Sequence, residues 1–446
     1  MLSGLEKQVF GYIESNRNSM IEFLRKMVRI DTQTPPGLNY DKFCDLLADR
    51  YHGLGYETSI HDATEKYLKL SGASHMGLEG PRRNLVAKLE GSGNGPILNI
   101  SAHTDTAAIQ EEGWTVEPLG GKVTLDTPYT KSIHDKGGGY VWGRGVADDK
   151  GELAALTLAV EALNSLEIKL KGGLIITANC DEEIGGVAGL GYLVKEGIIK
   201  ADLGIQLDGG LQGIGLAAMG RTRFQLTTYG LSYHGQVPIL GVNAIEKMSK
   251  LNVALDDYWR NTLLKRRVPV LGIDLGEALR ERGITKLTAM LNIGTVRGGV
   301  QGATVPDLCT EEVLRGMVPG ETFDQTQAEF KQVLDNVKAT DPDLEYSLDV
   351  INYREGYIVQ ADNPYALSCQ SIIEEATGKR LPFTGTLAST DMNYQVVDGG
   401  MKCVNFGVGG SYSRGHKQDE NASIDEIIEC SKAVALIIMR KLGAIT

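Results

Sequence analysis

Short apolar, β-branched runs recur along this chain, and one after another they lead into a histidine or a carboxylate. Segments 84–89, 97–101, 174–178, 203–207 and 404–406 read as strands. Between the second and third, residues 152–166 place Leu153, Leu156, Val160 and Leu163 at helical spacing, which predicts a core-facing helix. Strands alternating with helices fold as an α/β layer around a largely parallel sheet. Such open sheets bind their ligands beyond the carboxyl ends of the strands. That edge is where the chain concentrates its chemistry: Ser101-Ala102-His103-Thr104-Asp105, Gly143-Arg144-Gly145-Val146-Ala147-Asp148-Asp149-Lys150-Gly151, Cys180-Asp181-Glu182-Glu183-Ile184-Gly185, Leu207-Asp208-Gly209-Gly210 and Gly415-His416.

At 446 residues with 42% hydrophobic content, the chain exceeds what one core usually holds. The pattern changes near Gly220: 221–229 alternates like a half-exposed strand, 243–262 has helical period, and 346–353 alternates again before a helical segment at 364–377. We therefore expect an α/β fold in which a mostly parallel-sheet domain, residues 1–217 and 358–446, with helices on both faces, is interrupted by a smaller α+β domain at 218–357. A net charge of −12 with no basic cluster argues against nucleic acid or an anionic membrane as partner. The N-terminus carries no basic region followed by an apolar run, and no stretch approaches the roughly 20 apolar residues of a membrane span, so a cytoplasmic protein acting on a small molecule is expected. Six cysteines without a Cys-x-x-Cys pair predict reduced, mostly buried thiols, which leaves nitrogen and oxygen as the donors for any metal.

A lone His-x-Asp at a strand end is more often an ordinary hydrogen-bonded pair than a metal site; the ordered set carries the inference. Two divalent ions a few ångströms apart need a shared anionic ligand and a pair of further ligands each, leaving room for water. Asp105 lies two residues beyond His103, on the same side of an extended strand, and can accept the imidazole's second N–H. Asp149 could replace Asp148 as the shared ligand, or else read as a structural or exposed neighbour, and Asp181 reads as a neighbour. Asp202 precedes the strand 203–207 and Asp208 follows it, so Asp208 is the candidate. His52, His61, His75 and His134 read as surface residues, and the stretch 124–140 around His134 as an entry-shaping loop.

Together the motifs resemble the M20 family of co-catalytic metallopeptidases and amidohydrolases. The resemblance extends to Tyr233-His234-Gly235, Gly241-Val242-Asn243-Ala244-Ile245 and Gly407-Val408-Gly409. It implies a catalytic domain interrupted by a lid that also forms the contact of a homodimer or higher homo-oligomer. It further implies two divalent ions (zinc, manganese or cobalt), with His103 and Asp208 on one, Glu183 and His416 on the other, and Asp148 between them. Glu182 takes the role of general base, Asp105 that of orienting His103, and His234 that of an oxyanion donor to the partner's site. Two departures bear on substrate: Ala303 stands where relatives that clamp a carboxylate carry Asn, and Arg315 falls one residue early after Pro306. Arg297, Arg315, Thr384, Ser389 and Thr390 are the remaining substrate-contact candidates. The expected activity is metal-dependent hydrolysis of a C–N bond in an amide or peptide of a small acidic or aromatic compound. A hydrolytic deaminase releasing ammonia from an aromatic or amidine-like amine is the alternative within enzymes, and a non-catalytic binding protein that retains the fold the alternative outside them.

Overall fold

Strands Gly173–Asn179, Ile97–His103, Leu203–Leu207 and Lys402–Phe406 run parallel, in that order, through the centre of a nine-stranded sheet. Their runs of consecutive apolar residues suit this place, because a parallel sheet is buried on both faces; Leu98, Ile100 and Ala102 on one strand and Leu174, Ile176 and Ala178 on the next are all inaccessible to solvent. Antiparallel strands flank them, Glu57–Asp62 and Arg83–Leu89 on one side, Ile214–Ala218 and Tyr357–Ile358 on the other. Helices Lys150–Ser165 and Ile424–Leu442 pack on each other and on the strand Ile97–His103. The second of them starts where Ser423 Oγ accepts the N–H of Glu426, a side-chain cap for an otherwise unpaired donor. The structure, a computed structural model, describes residues 2–73 and 75–445, so the expected outer limits at 1 and 446 lie outside it.

A second sheet is wholly antiparallel, in the order Met290–Gly298, Leu308–Met317, Gly220–Tyr229, Glu345–Arg354. Burial alternates along Gly220–Tyr229, as the sequence periodicity predicts for a strand with one covered face. Helices Ala244–Asn261 and Phe323–Lys338 supply that cover, and Phe224 stacks on Phe330 with ring centroids 4.6 Å apart in a core separate from that of the large sheet. The chain crosses between the sheets at Met219 and again between Arg354 and Tyr357. All six cysteines are free and buried. Among the described residues no helix is long and apolar enough to cross a membrane.

Candidate metal centre

Asn179, His103, Leu207 and Phe406 are the last residues of the parallel strands, and the loops that follow them converge. His103 is held from behind: its backbone N–H donates to Asp149 Oδ2 at 2.7 Å, and its ring Nδ1 lies 3.0 Å from the backbone oxygen of Asp105. Its Nε2 faces Asp148 Oδ1 at 3.0 Å, while His416 Nε2 faces the other oxygen, Oδ2, at 2.9 Å. Asp148 therefore stands between two imidazoles, one carboxylate oxygen toward each. Glu183 Oε2 is 3.2 Å from His416 Nε2. Donor atoms of His103, Glu182 and Asp208 lie within 4.8 Å of one another, as do those of Asp148, Glu183 and His416.

The electrostatics match this crowding. Burial pushes Asp208 up to about 7, reinforced by the nearby charges of Glu182 and Asp148. Glu183 is raised by burial and then by Asp148, and its Oε1 is buried without a hydrogen-bond partner. Burial would raise Asp148 too, yet the two imidazoles hold it below the ordinary carboxylate range. Carboxylates outnumber the cationic side chains around them, their free atoms are oxygen and imidazole nitrogen, and they fall into two groups sharing one edge. That donor set fits a pair of divalent cations.

Asp105 faces two ways: its Oδ1 is 3.4 Å from His103 Nδ1, and its two carboxylate oxygens accept the backbone N–H groups of Glu182 and Glu183, each at 3.1 Å. An aspartate one strand away is well placed to cap two successive N–H groups of a tight turn. Of the two readings of Asp149 as a neighbour, structural or exposed, the structure shows the first: it is fully buried and holds the His103 backbone. His134 is not on the surface; its Nε2 is 2.7 Å from the carbonyl oxygen of Leu211, and residues 132–138 are tied to the last helix through Glu426, Asp425 and Glu429. Asp202, as its place before the strand predicts, accepts the N–H of Ile97 at the opposite end of the sheet from Asp208.

The substrate-contact candidates divide. Arg315 is spent inside the small sheet's core, where it is fully buried and paired with Glu321 at 2.6 Å; the one-residue shift from Pro306 turns it onto the covered face. Arg297 and His234 are exposed on the small-sheet side and are not brought to the cluster. His234 forms an isolated β-bridge with Thr304. Thr384 shares with Asp208 a cleft of about 350 Å³, lined also by Gln212, Tyr357, Asn405 and Phe406 and, among the described residues, by no lysine or arginine. Ser389 Oγ accepts from Arg354 Nε at 2.9 Å, and Thr390 donates its backbone N–H to Asn393. The larger cavity, about 730 Å³ near Leu54, Leu89 and Ile168, shares no residue with the cluster.

Sequence reasoning passed over Arg354 and Asp391. The Arg354 guanidinium is buried and donates to Glu182 Oε1 at 3.0 Å and to Asp391 Oδ1 at 3.1 Å. Arg354 closes an alternating strand, a position that ordinarily reads as surface. Asp391 directly follows the Ser389-Thr390 pair and was the signal available.

A parallel sheet whose carboxyl edge gathers two imidazoles and several carboxylates into two adjoining donor groups defines a dinuclear metallohydrolase. Residues 100–440 match peptidase family M20/M25/M40, and the chain belongs to that family, whose members hydrolyse amide and peptide C–N bonds. The chain is 22% identical to N-formyl-4-amino-5-aminomethyl-2-methylpyrimidine deformylase from Bacillus subtilis over 96% of its length and 97% of that protein's. Among solved structures it resembles human carnosine dipeptidase 1 (TM-score 0.72, 17% identity, 98% of this chain and 99% of that one). It also resembles the di-peptidase Dug1p from Saccharomyces cerevisiae (TM-score 0.74, 15% identity, 98% of each chain).

Proposed function

We propose that this enzyme removes a small acyl group, formyl or acetyl, from an amine that carries no α-carboxylate. The observation that carries the hydrolytic part is the convergence of His103, Asp148, Glu182, Glu183, Asp208 and His416 at one sheet edge. Two divalent cations of the zinc, manganese or cobalt kind, held by His103 and Asp208 and by Glu183 and His416 with Asp148 shared, would supply Lewis acidity toward the acyl oxygen. Glu182 reaches the same space without being required as a ligand. Its carboxylate takes a proton from the attacking water as the C–O bond forms and delivers it to the nitrogen as the C–N bond breaks. Asp105 fixes the backbone on which Glu182 and Glu183 stand, and Asp149 fixes that of His103.

The substrate class rests on what the cleft lacks. Arg315, one of the substrate-contact candidates, is engaged by Glu321, Ala303 offers no amide, and the described residues lining the cleft beside Asp208 include no lysine or arginine. The likeness over nearly full length to a deformylase supports the same reading. We read residues 218–357 as a lid through which two copies associate; exposed Leu231, Tyr233, Val237, Ile239 and Leu240 surround His234 in the chain and support a partner there. In such a dimer His234 donates to the oxyanion of the partner's site.

The test is release of formate, acetate and amine by protein loaded with zinc, manganese or cobalt, over N-formyl and N-acetyl amines, N-acyl amino acids and dipeptides. Turnover of N-acyl amines that disappears in Glu182→Gln is the expected result. Preference for N-acyl amino acids contradicts the substrate class, and ammonia as the only product contradicts acyl removal.

A further inference from the structure

The turn that carries Glu182 and Glu183 is held from the small sheet. Arg354 is the last residue of the strand Glu345–Arg354, and three residues later the chain pairs into the large sheet at Tyr357–Ile358. Its guanidinium uses all three nitrogens: Nε on Ser389, Nη1 on Asp391, Nη2 on Glu182. Asp391 in turn accepts from Asn179 Nδ2 at 2.5 Å, and Asn179 Oδ1 accepts from Ser101 Oγ at 2.8 Å. Asn179 ends the central strand and Glu182 follows three residues on, so the Arg354–Asp391 pair grips both ends of the same loop. Two residues before Arg354, Asn352 Nδ2 donates to the carbonyl oxygen of Ile184 at 3.1 Å, on the far side of that loop. From the other direction Tyr394 donates its hydroxyl to Gly185 O at 2.6 Å.

We infer that Arg354 is a positioning residue for the reaction: its planar fork fixes the Glu182 carboxylate and thereby ties the orientation of the general base to the strand that joins the two sheets. A guanidinium offers several donors in fixed directions, which a lysine at the same place cannot reproduce. With one oxygen of Glu182 committed to Arg354, the other is left for the cleft. Arg354 holds Glu182 and Asn352 holds the carbonyl of Ile184, so the turn that carries the base is fixed at two points from one strand of the small sheet. This inference rests on the assignment of Glu182 as base.

The experiment is a double-mutant cycle of Arg354→Lys with Glu182→Gln in the metal-loaded full chain, assayed on whichever N-formyl or N-acetyl amine is turned over fastest. Metal content and thermal unfolding are measured alongside. The expected result is a kcat reduced about tenfold or more in Arg354→Lys with KM little changed, both metals retained, and no further loss when Arg354→Lys is added to Glu182→Gln. Losses that multiply, or a loss that tracks Tm or metal content, overturn the positioning role while leaving Glu182 as base. A Glu182→Gln variant that keeps full turnover overturns the base assignment itself, and the inference with it. A crystal structure of metal-loaded Arg354→Lys gives a readout free of activity: Glu182 rotated from its present place is expected, and Glu182 unmoved contradicts the inference.

Discussion

Acidic residues are buried in both halves of the molecule, and a group in each half is treated oppositely. In the small-sheet region Asp341, Glu321 and Glu329 are paired with cations, whereas Glu311, beside Asn252, is raised to about 7 by burial. Asp341 binds Lys247 at 2.7 and 2.8 Å and Lys250 at 2.7 Å, and these bonds draw it down to about 2. Burial would raise Glu321, but Arg315 and Arg266 hold it below its ordinary range; Glu329 is likewise lowered beside Arg266. At the edge of the large sheet Glu183, Asp208 and Asp391 are instead raised, burial first and neighbouring carboxylates next. The first arrangement stabilises a fold. The second stores negative charge where the sheet opens, and clustered shifts of that kind mark a site of function.

The largest expected effect follows from the shared carboxylate. Asp148→Asn should reduce turnover by about a thousandfold or more and lower the metal content per chain, since both imidazoles converge on it; full metal content with near-normal kcat would break the comparison at its centre. Next comes the opposite region. Arg315→Ala leaves Glu321 without its closest cation inside a core, so stability should fall by about 3 kcal/mol in denaturant unfolding while the metal count per chain stays the same.

Asp208→Asn sharpens the contrast further, because the two forms of the protein should respond with opposite signs. An aspartate whose folded pKa is raised to about 7 opposes folding once it ionises, and that penalty grows as pH rises from about 4 toward 7. Metal-free Asp208→Asn should therefore be more stable than the parent at pH 8, on the order of 1 kcal/mol, and should lose that advantage near pH 4. In the metal-loaded form the same change should cost activity. The smallest effect concerns Asp341. Its folded pKa lies below its unfolded value, so its contribution is present above about pH 4 and lost as pH falls toward 2. Lys247→Met should lower Tm at pH 7 by a few degrees, about 2–4 °C per kcal/mol lost, and leave it unchanged near pH 2.

Much of the site was legible because strand-end residues are written contiguously with the strands that aim them. His103, Glu182, Glu183 and Asp208 each follow an apolar run, and a parallel sheet leaves its loops nowhere to go but one edge. His416 lies in a loop beyond its strand, with a positive φ of 62°, and only the preceding glycines and the family pattern point to it. What sequence could not give was the partner chosen by each side chain. Asp105 is on the expected side of its strand, yet it also accepts the N–H groups of the neighbouring turn, and no spacing within 101–105 encodes the distance to residues 182 and 183. Arg315 illustrates the parity of strands: one residue of slip moved it from the open face to the core. Arg354 and Asp391, separated in sequence from Glu182 and from each other, meet it only after the two sheets have docked.

The most direct test of the central claim is the measurement, on one preparation, of metal ions bound per chain and of kcat for an N-formyl amine, with Glu182→Gln as the paired variant. Two ions per chain in both proteins, with kcat about a thousandfold lower in Glu182→Gln, is the predicted result. A variant that turns over as fast as the parent with the same metal content, or a parent that hydrolyses its substrate without binding metal, would contradict the reading of this sheet edge as a metallohydrolase site served by Glu182.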